Sequence, residues 1–133
     1  MYSTKFIDIF TNPKNVGIIQ GASGVGTNTN ETTNDVMKLY VKIENETIVD
    51  AKFKTYSSAV GIVALSVLTE MLKGKSLEDA LKIEAKDLLA EIGSVENDKL
   101  YMIDDALKTL SLAIADYRKK QEKLLQKLAN ANK

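Results

Sequence analysis

Gly21-Ala22-Ser23-Gly24-Val25-Gly26-Thr27 is the stretch most open to a chemical reading. Gly21 and Gly26 stand at the separation of the two glycines in a phosphate-cradling loop. Thr27, however, occupies the place of the lysine that would reach the phosphates. No apolar strand leads into the stretch and no clear helix signal leaves it, so a flexible loop is the expectation. Ser57-Ser58 offers hydroxyl nucleophiles, but the chain has no histidine to serve as their base and no G-x-S-x-G elbow surrounds them. The acid pairs Glu78-Asp79 and Asp104-Asp105 resemble acid–base dyads. Both fall near expected helix starts, where carboxylates favour the helix dipole, and that structural role is preferred. Cysteine is absent too, which removes thiolate chemistry and disulfides. These residues point to no enzyme.

The elements that would position them can be read from periodicity. Residues 3–10 suit a short amphipathic helix through Phe6, Ile7, Ile9 and Phe10, ended by Asn12-Pro13. Residues 17–34, rich in Gly, Ser, Thr and Asn, read as a mobile loop with room for one short strand. Leu39, Val41 and Ile43 then alternate with lysines and Tyr40. After a turn at Glu44–Thr47, Val49, Ala51, Phe53 and Thr55 alternate with charged residues. This predicts a β-hairpin with one buried face. Residues 59–73 are apolar nearly all round, which predicts a helix packed on several sides and capped by Gly74. Ser76 is a candidate N-cap for a short helix to about Ile83, and another spans Lys86 to Ile92 before Gly93-Ser94. From about Met102 a long helix follows, packed through Leu107, Leu110 and Ile114, with Asp104 and Lys108 as an i,i+4 pair. Its stripe runs on through Leu124, Leu125 and Leu128, and the extension at 119–133 is expected to fray at its end. The fold class expected is α+β: a small antiparallel sheet covered on one face by helices, in a single domain over 1–133.

Net charge is zero over 133 residues, and Arg118 is the only arginine among the basic residues. Both facts argue against a nucleic-acid partner. The most apolar window, 59–72, is too short to span a bilayer and carries Ser66, Thr69 and Glu70. The first residues lack the pattern of a signal peptide. A cytoplasmic protein without a membrane or nucleic-acid partner is the expectation.

Short strings in register then carry a resemblance. Tyr2-Ser3 through Asn12-Pro13-Lys14-Asn15-Val16-Gly17, Asp35-Val36-Met37-Lys38-Leu39, Phe53-Lys54-Thr55-Tyr56, Thr69-Glu70 with Lys73-Gly74-Lys75-Ser76-Leu77, and Ala113-Ile114-Ala115-Asp116-Tyr117 occur in order. Together they resemble the IscU/NifU N-terminal family of iron–sulfur scaffolds. The resemblance implies three cysteines and a histidine or aspartate at one end of the molecule. There they would hold zinc or a nascent 2Fe–2S cluster built with sulfur from a cysteine desulfurase. Carried over, the cysteine positions fall at Thr33, Ser58 and Met102, the histidine position at Tyr101, and Asp35 alone is kept. The Leu-Pro-Pro-Val-Lys segment that recruits an Hsp70-type chaperone in that family reads Val95-Glu96-Asn97-Asp98-Lys99 here.

Soft thiolates suit iron–sulfur clusters, whereas Thr and Ser hydroxyls do not ionise near neutrality and a thioether binds weakly. The expectation is therefore a relative that cannot ligate a cluster by itself, with no cofactor and no metal, serving as a binding or regulatory module. Its partner would be a cysteine desulfurase or another assembly protein. The alternative is a residual scaffold role using ligands from a partner chain. Despite the missing ligands, Thr33, Asp35, Ser58, Tyr101 and Met102 are expected to converge.

Overall fold

Ser3 starts the first helix, α1 (Thr4–Thr11), by accepting the Phe6 N–H on its Oγ at 3.0 Å. The same hydroxyl donates to the carbonyl of Ile92 at 3.0 Å, which ties the cap to a distant helix end. The structure, a computed structural model, describes residues 2–132. Lys133, the last residue of the extension expected to fray, lies outside them.

Three strands form one antiparallel sheet in the order β1-β2-β3: β1 (Gly24–Thr29), β2 (Val36–Glu44) and β3 (Thr47–Tyr56). Along β2, Met37, Leu39, Val41 and Ile43 are buried, while Lys38, Tyr40 and Lys42 between them are half-buried. The β2–β3 turn places both Asn45 and Glu46 at positive φ (51° and 61°), the combination that matches strand twist in a two-residue hairpin. A bulge follows at once: Ile43 pairs with Ile48, but Lys42 pairs with Asp50. Val49 is the extra residue and is turned outward, so Ile48 takes the buried place that simple alternation assigns to Val49.

The stretch read as a mobile loop with room for one short strand holds that strand, β1, at the sheet edge. Gly24 to Thr29 pairs residue by residue with Val41 to Val36. Its glycines serve helix packing rather than mobility. A Cβ at Gly26 would strike the Thr109 carbonyl and the Ala113 amide, and one at Gly24 would strike the Ala113 carbonyl. The β1 edge is closed by a carboxylate, since the Val25 N–H donates to Asp116 at 2.8 Å. At the other edge, Phe53 exchanges backbone hydrogen bonds with Asn15 and Gly17 (2.9 and 2.8 Å).

Helix α2 (Ala59–Leu72) has ten of its fourteen residues buried, as its nearly uniform apolarity requires. Its polar Thr69 is satisfied by the Leu65 carbonyl at 2.7 Å, and Ser66 accepts the Lys14 N–H at 2.8 Å. Two short helices follow, α3 (Leu77–Ala80) and α4 (Ala85–Ile92). Ser76 caps α3 by accepting the Asp79 N–H. A reciprocal box of Glu84 and Asp87 caps α4, with an acid in the usual Ser or Thr place. After a single 3₁₀ turn at Asn97–Lys99, α5 (Tyr101–Ala131) crosses the sheet. Ile103, Ala106, Leu110, Ala113 and Ile114 are buried in the core, and Leu107 packs at its edge. Beyond Gln121 every described residue is exposed, including Leu124, Leu125 and Leu128, because no other element reaches that far. Asp104 and Lys108 form no ion pair among the described residues; Asp116 and Lys120 do, at 2.9 Å. No described helix is long and apolar enough to cross a membrane.

Candidate functional site

The β1–β2 connection, the start of α2 and the start of α5 meet at one end of the molecule. Asn30 organises the first of these. Its side-chain oxygen accepts the N–H groups of Thr32 and Thr33 (3.0 and 3.1 Å), and its amide donates to the Asp105 carboxylate at 3.0 Å. Asn34 closes the turn at φ 63°, a conformation Asn tolerates. The loop thereby presents Thr33 and Asp35 to α5. The Thr33 hydroxyl donates to Asp35 Oδ2 at 2.8 Å, and the Tyr101 phenol donates to the same oxygen at 2.5 Å.

One residue along the helix, Met102 is fully buried, and its Sδ accepts the Ser58 hydroxyl at 3.2 Å. Ser58 sits at the N-cap of α2 with extended backbone, but its side chain makes no capping bond and turns to the sulfur instead. Beneath it, Ser57 and Thr55 share a hydroxyl–hydroxyl contact at 2.8 Å, and Thr55 donates on to the Val36 carbonyl. Gly61 leaves the room this requires, since a Cβ there would collide with the Ser57 hydroxyl. All five expected residues therefore lie at this end as two hydrogen-bonded sets, Thr33–Asp35–Tyr101 and Ser58–Met102, joined through the neighbouring Tyr101 and Met102 of α5.

Other sequence candidates resolve differently. Gly21 to Thr27 makes no anion cradle, because residues 24–27 are extended in β1 and the Ser23 and Val25 N–H groups are given to the Val41 carbonyl and Asp116 (2.9 and 2.8 Å). Asp105, read as a helix-start charge, is the anchor for Asn30, and Asn28 also donates to its carbonyl at 3.4 Å. Only the density of Asn around the turn signalled that tie beforehand. Ser58 has no base beside it, and its proton is directed at sulfur.

Chemically the cluster offers hydroxyls, one phenol, one carboxylate and one thioether. The single carboxylate oxygen Oδ2 already receives two donors, and the thioether is buried and engaged. Among the described residues no group of three acidic side chains is placed to hold a metal ion. This set does not fit a 2Fe–2S cluster or a structural zinc, both of which take four thiolate, imidazole or carboxylate ligands. What the set does is fasten loop to helix.

The bond to Asp35, with burial adding to it, raises the Tyr101 phenol above its ordinary value near 10. The neutral phenol is favoured in the fold, so its stabilising contribution is complete below about pH 10 and is lost as pH rises through the raised value. Burial and Glu96 raise Tyr2 as well, so tyrosinate absorbance should show more than one phenol titrating late, of which one is missing in Tyr101→Phe and returned toward 10 in Asp35→Asn. An unchanged titration in Asp35→Asn would rule out the bond.

The fold and the spacing of this site define the class, and comparison with known proteins places the chain within it. Residues 1–124 match the model of the NifU-like N-terminal domain, and the chain belongs to that family. Two proteins of Archaeoglobus fulgidus named iron–sulfur cluster assembly scaffold protein IscU are each 43% identical over 125 residues, covering 93% of this chain and 81% of theirs. The scaffold protein IscU of Aquifex aeolicus is 40% identical over 90% of this chain and 78% of its own. Among solved structures, an iron–sulfur cluster assembly scaffold protein for the SUF system from Fervidobacterium islandicum superposes with a TM-score of 0.69 at 24% identity, covering 84% of this chain and 95% of that one. A NifU-like N-terminal protein of Brucella abortus gives 0.64 at 17% identity, covering 91% and 94%. These two likenesses concern the fold.

Proposed function

We propose that this chain acts in iron–sulfur cluster assembly without itself ligating a cluster, as a binding or regulatory module rather than an enzyme. One observation carries this reading. The five positions where the family resemblance implies ligands hold Thr33, Asp35, Ser58, Tyr101 and Met102, and these bond within two sets, Thr33–Asp35–Tyr101 and Ser58–Met102, in a chain without cysteine or histidine. The names of its relatives support the setting. The shape it shares with the scaffolds would still be recognised by a cysteine desulfurase or another assembly protein in the cytoplasm, while the cargo is left to a competent scaffold. A second reading has one observation in its favour: Thr33 is exposed and Asp35 half-buried, so thiolates of a partner chain could approach this end.

The test mixes this chain with a cysteine desulfurase, iron, a reductant and a cysteine-bearing relative such as the Archaeoglobus IscU. The expected result is a changed rate of cluster formation on the relative, with this chain free of iron when separated again. Iron and sulfide retained on this chain would favour the second reading. An unchanged rate together with no complex would reject both.

A further inference from the structure

The outer face of the sheet, turned away from the buried side chains of β2 and β3, carries a charge pattern that works against the sheet. Lys38, Tyr40, Lys42 and Glu44 alternate outward along β2, and Asp50, Lys52, Lys54 and Tyr56 along β3. Both acids lie at the hairpin end, where Asp50 is opposite Lys42 and Glu44 opposite Thr47. Toward the other end Lys38, Lys52 and Lys54 have no acid among them. Lys38 stands directly opposite Lys54, and Lys52 is opposite Tyr40, diagonal to Lys38. None of the three forms an ion pair among the described residues, whereas Lys5, Lys73, Lys82, Lys86, Arg118 and Lys120 all do. The flanking segment 14–23 contains no acid either.

Like charges directly opposite on paired strands destabilise them, so this row is a cost to the fold. Lysines can guard an open sheet edge, but both edges here are closed, by Asp116 at β1 and by Asn15 and Gly17 at β3. A counter-charge from outside the chain is what the row lacks. Tyr56 extends the patch: it follows Lys54 on the same face, is 79% exposed, and leads directly into Ser57 and Ser58. A bare aromatic is the residue type that anchors protein interfaces.

The composition of the patch selects its partner. It holds no arginine, whose planar fork favours phosphate. Tyr40 already has the Lys38 ammonium over its ring, 5.7 Å from the centre, where a nucleobase would stack. Side chains opposite and diagonal on paired strands stand about 5 and 7 Å apart, close to the spacing of carboxylates one turn apart on a helix.

We infer that this face docks an acidic segment of a protein partner, with its carboxylates among Lys38, Lys52 and Lys54 and an apolar group against Tyr56. Binding relieves the repulsion built into the free sheet. The contact names a partner class for the binding module proposed above and rests on that reading. Ion pairs at an exposed face are screened, so the affinity falls as salt is added.

Fluorescence anisotropy of a labelled Glu-rich peptide carrying one leucine tests this on the full chain. The native protein should bind it saturably at low salt. Lys38→Glu should weaken binding about tenfold and at the same time raise the melting temperature, because it turns the opposed pair with Lys54 into an attractive one. A purely structural lysine would not move the two readouts in opposite directions. Tyr56→Ala changes an exposed position and should weaken binding by a smaller factor with unchanged circular dichroism. Lys127→Glu makes the same change in net charge at the exposed end of α5 and should leave binding unchanged. No binding by the native chain, or equal losses in Lys38→Glu and Lys127→Glu, would overturn the inference. Tighter binding of oligothymidylate than of the peptide, lost in Lys38→Glu, would overturn it in favour of a nucleic acid. No iron, sulfide or desulfurase enters this assay, so its failure is distinct from failure of the cluster-formation test.

Discussion

Gly26→Ala should lower the free energy of unfolding by about 3 kcal/mol, the upper end of what overpacking a tight contact costs. The added methyl has no flexible neighbour to displace. It meets the Thr109 carbonyl and the Ala113 amide, backbone atoms in the middle of α5. Helix and strand must then separate, and the loss spreads to Ala113, Leu110 and Ile114, all buried. Gly21→Ala is the informative control. Gly21 has φ 67°, but a Cβ added there would meet nothing within 4 Å, so only the left-handed backbone penalty of about 1 kcal/mol applies. Urea melts with an unchanged slope would give both values. A Gly26→Ala protein as stable as Gly21→Ala would mean that α5 does not lie on β1 as described.

The second large effect is a gain. Thr33→Cys/Ser58→Cys/Met102→Cys, with Asp35 left in place, should create a four-ligand site that takes up one zinc. Ser58 and Met102 are already 3.2 Å apart, and Thr33 already touches Asp35 at 2.8 Å, so the new thiolates arise where the backbone has gathered them. Because zinc binds the folded state, stability should rise by about 2.7 kcal/mol when free zinc exceeds its Kd by about a hundredfold, and fall again with chelator. Adding Tyr101→Phe should tighten binding further, since the phenol competes for Asp35 Oδ2. A triple variant whose melting temperature ignores zinc would show that these positions do not form one site.

How far the sequence foretold this molecule depended on the physics behind each signal. The β2–β3 hairpin and α2 were legible because one-sided or all-round burial leaves a period in the apolar residues, and β2 and Ala59–Leu72 carry it. Strand β1 was legible only as room for one short strand, without its bounds, because Gly24 and Gly26 answer to the approach of α5, and a glycine selected for close packing has the same composition as one selected for a loop. The bulge that turns Val49 outward left no mark, since Ile48 and Val49 are equally apolar and only the strand pairing chooses between them. The leucines of 124–128 continue the helical stripe faithfully, but periodicity records a face and not whether anything covers it. At the site, the family-like strings identified Thr33, Asp35, Ser58, Tyr101 and Met102. Nothing in the residue types foretold the bonds among them, least of all a serine N-cap that gives its proton to a methionine sulfur.

Anaerobic reconstitution of the native chain alone, with iron, sulfide and reductant, tests most directly whether it can ligate a cluster. A 2Fe–2S cluster is held by four protein ligands, chiefly thiolates. This chain contains no cysteine or histidine, and Asp35 is the one carboxylate at the relevant end bonded to both Thr33 and Tyr101. The expected result is a desalted protein with no visible charge-transfer absorbance and no retained iron or sulfide. A stable coloured species carrying stoichiometric iron and sulfide on the isolated chain would contradict it.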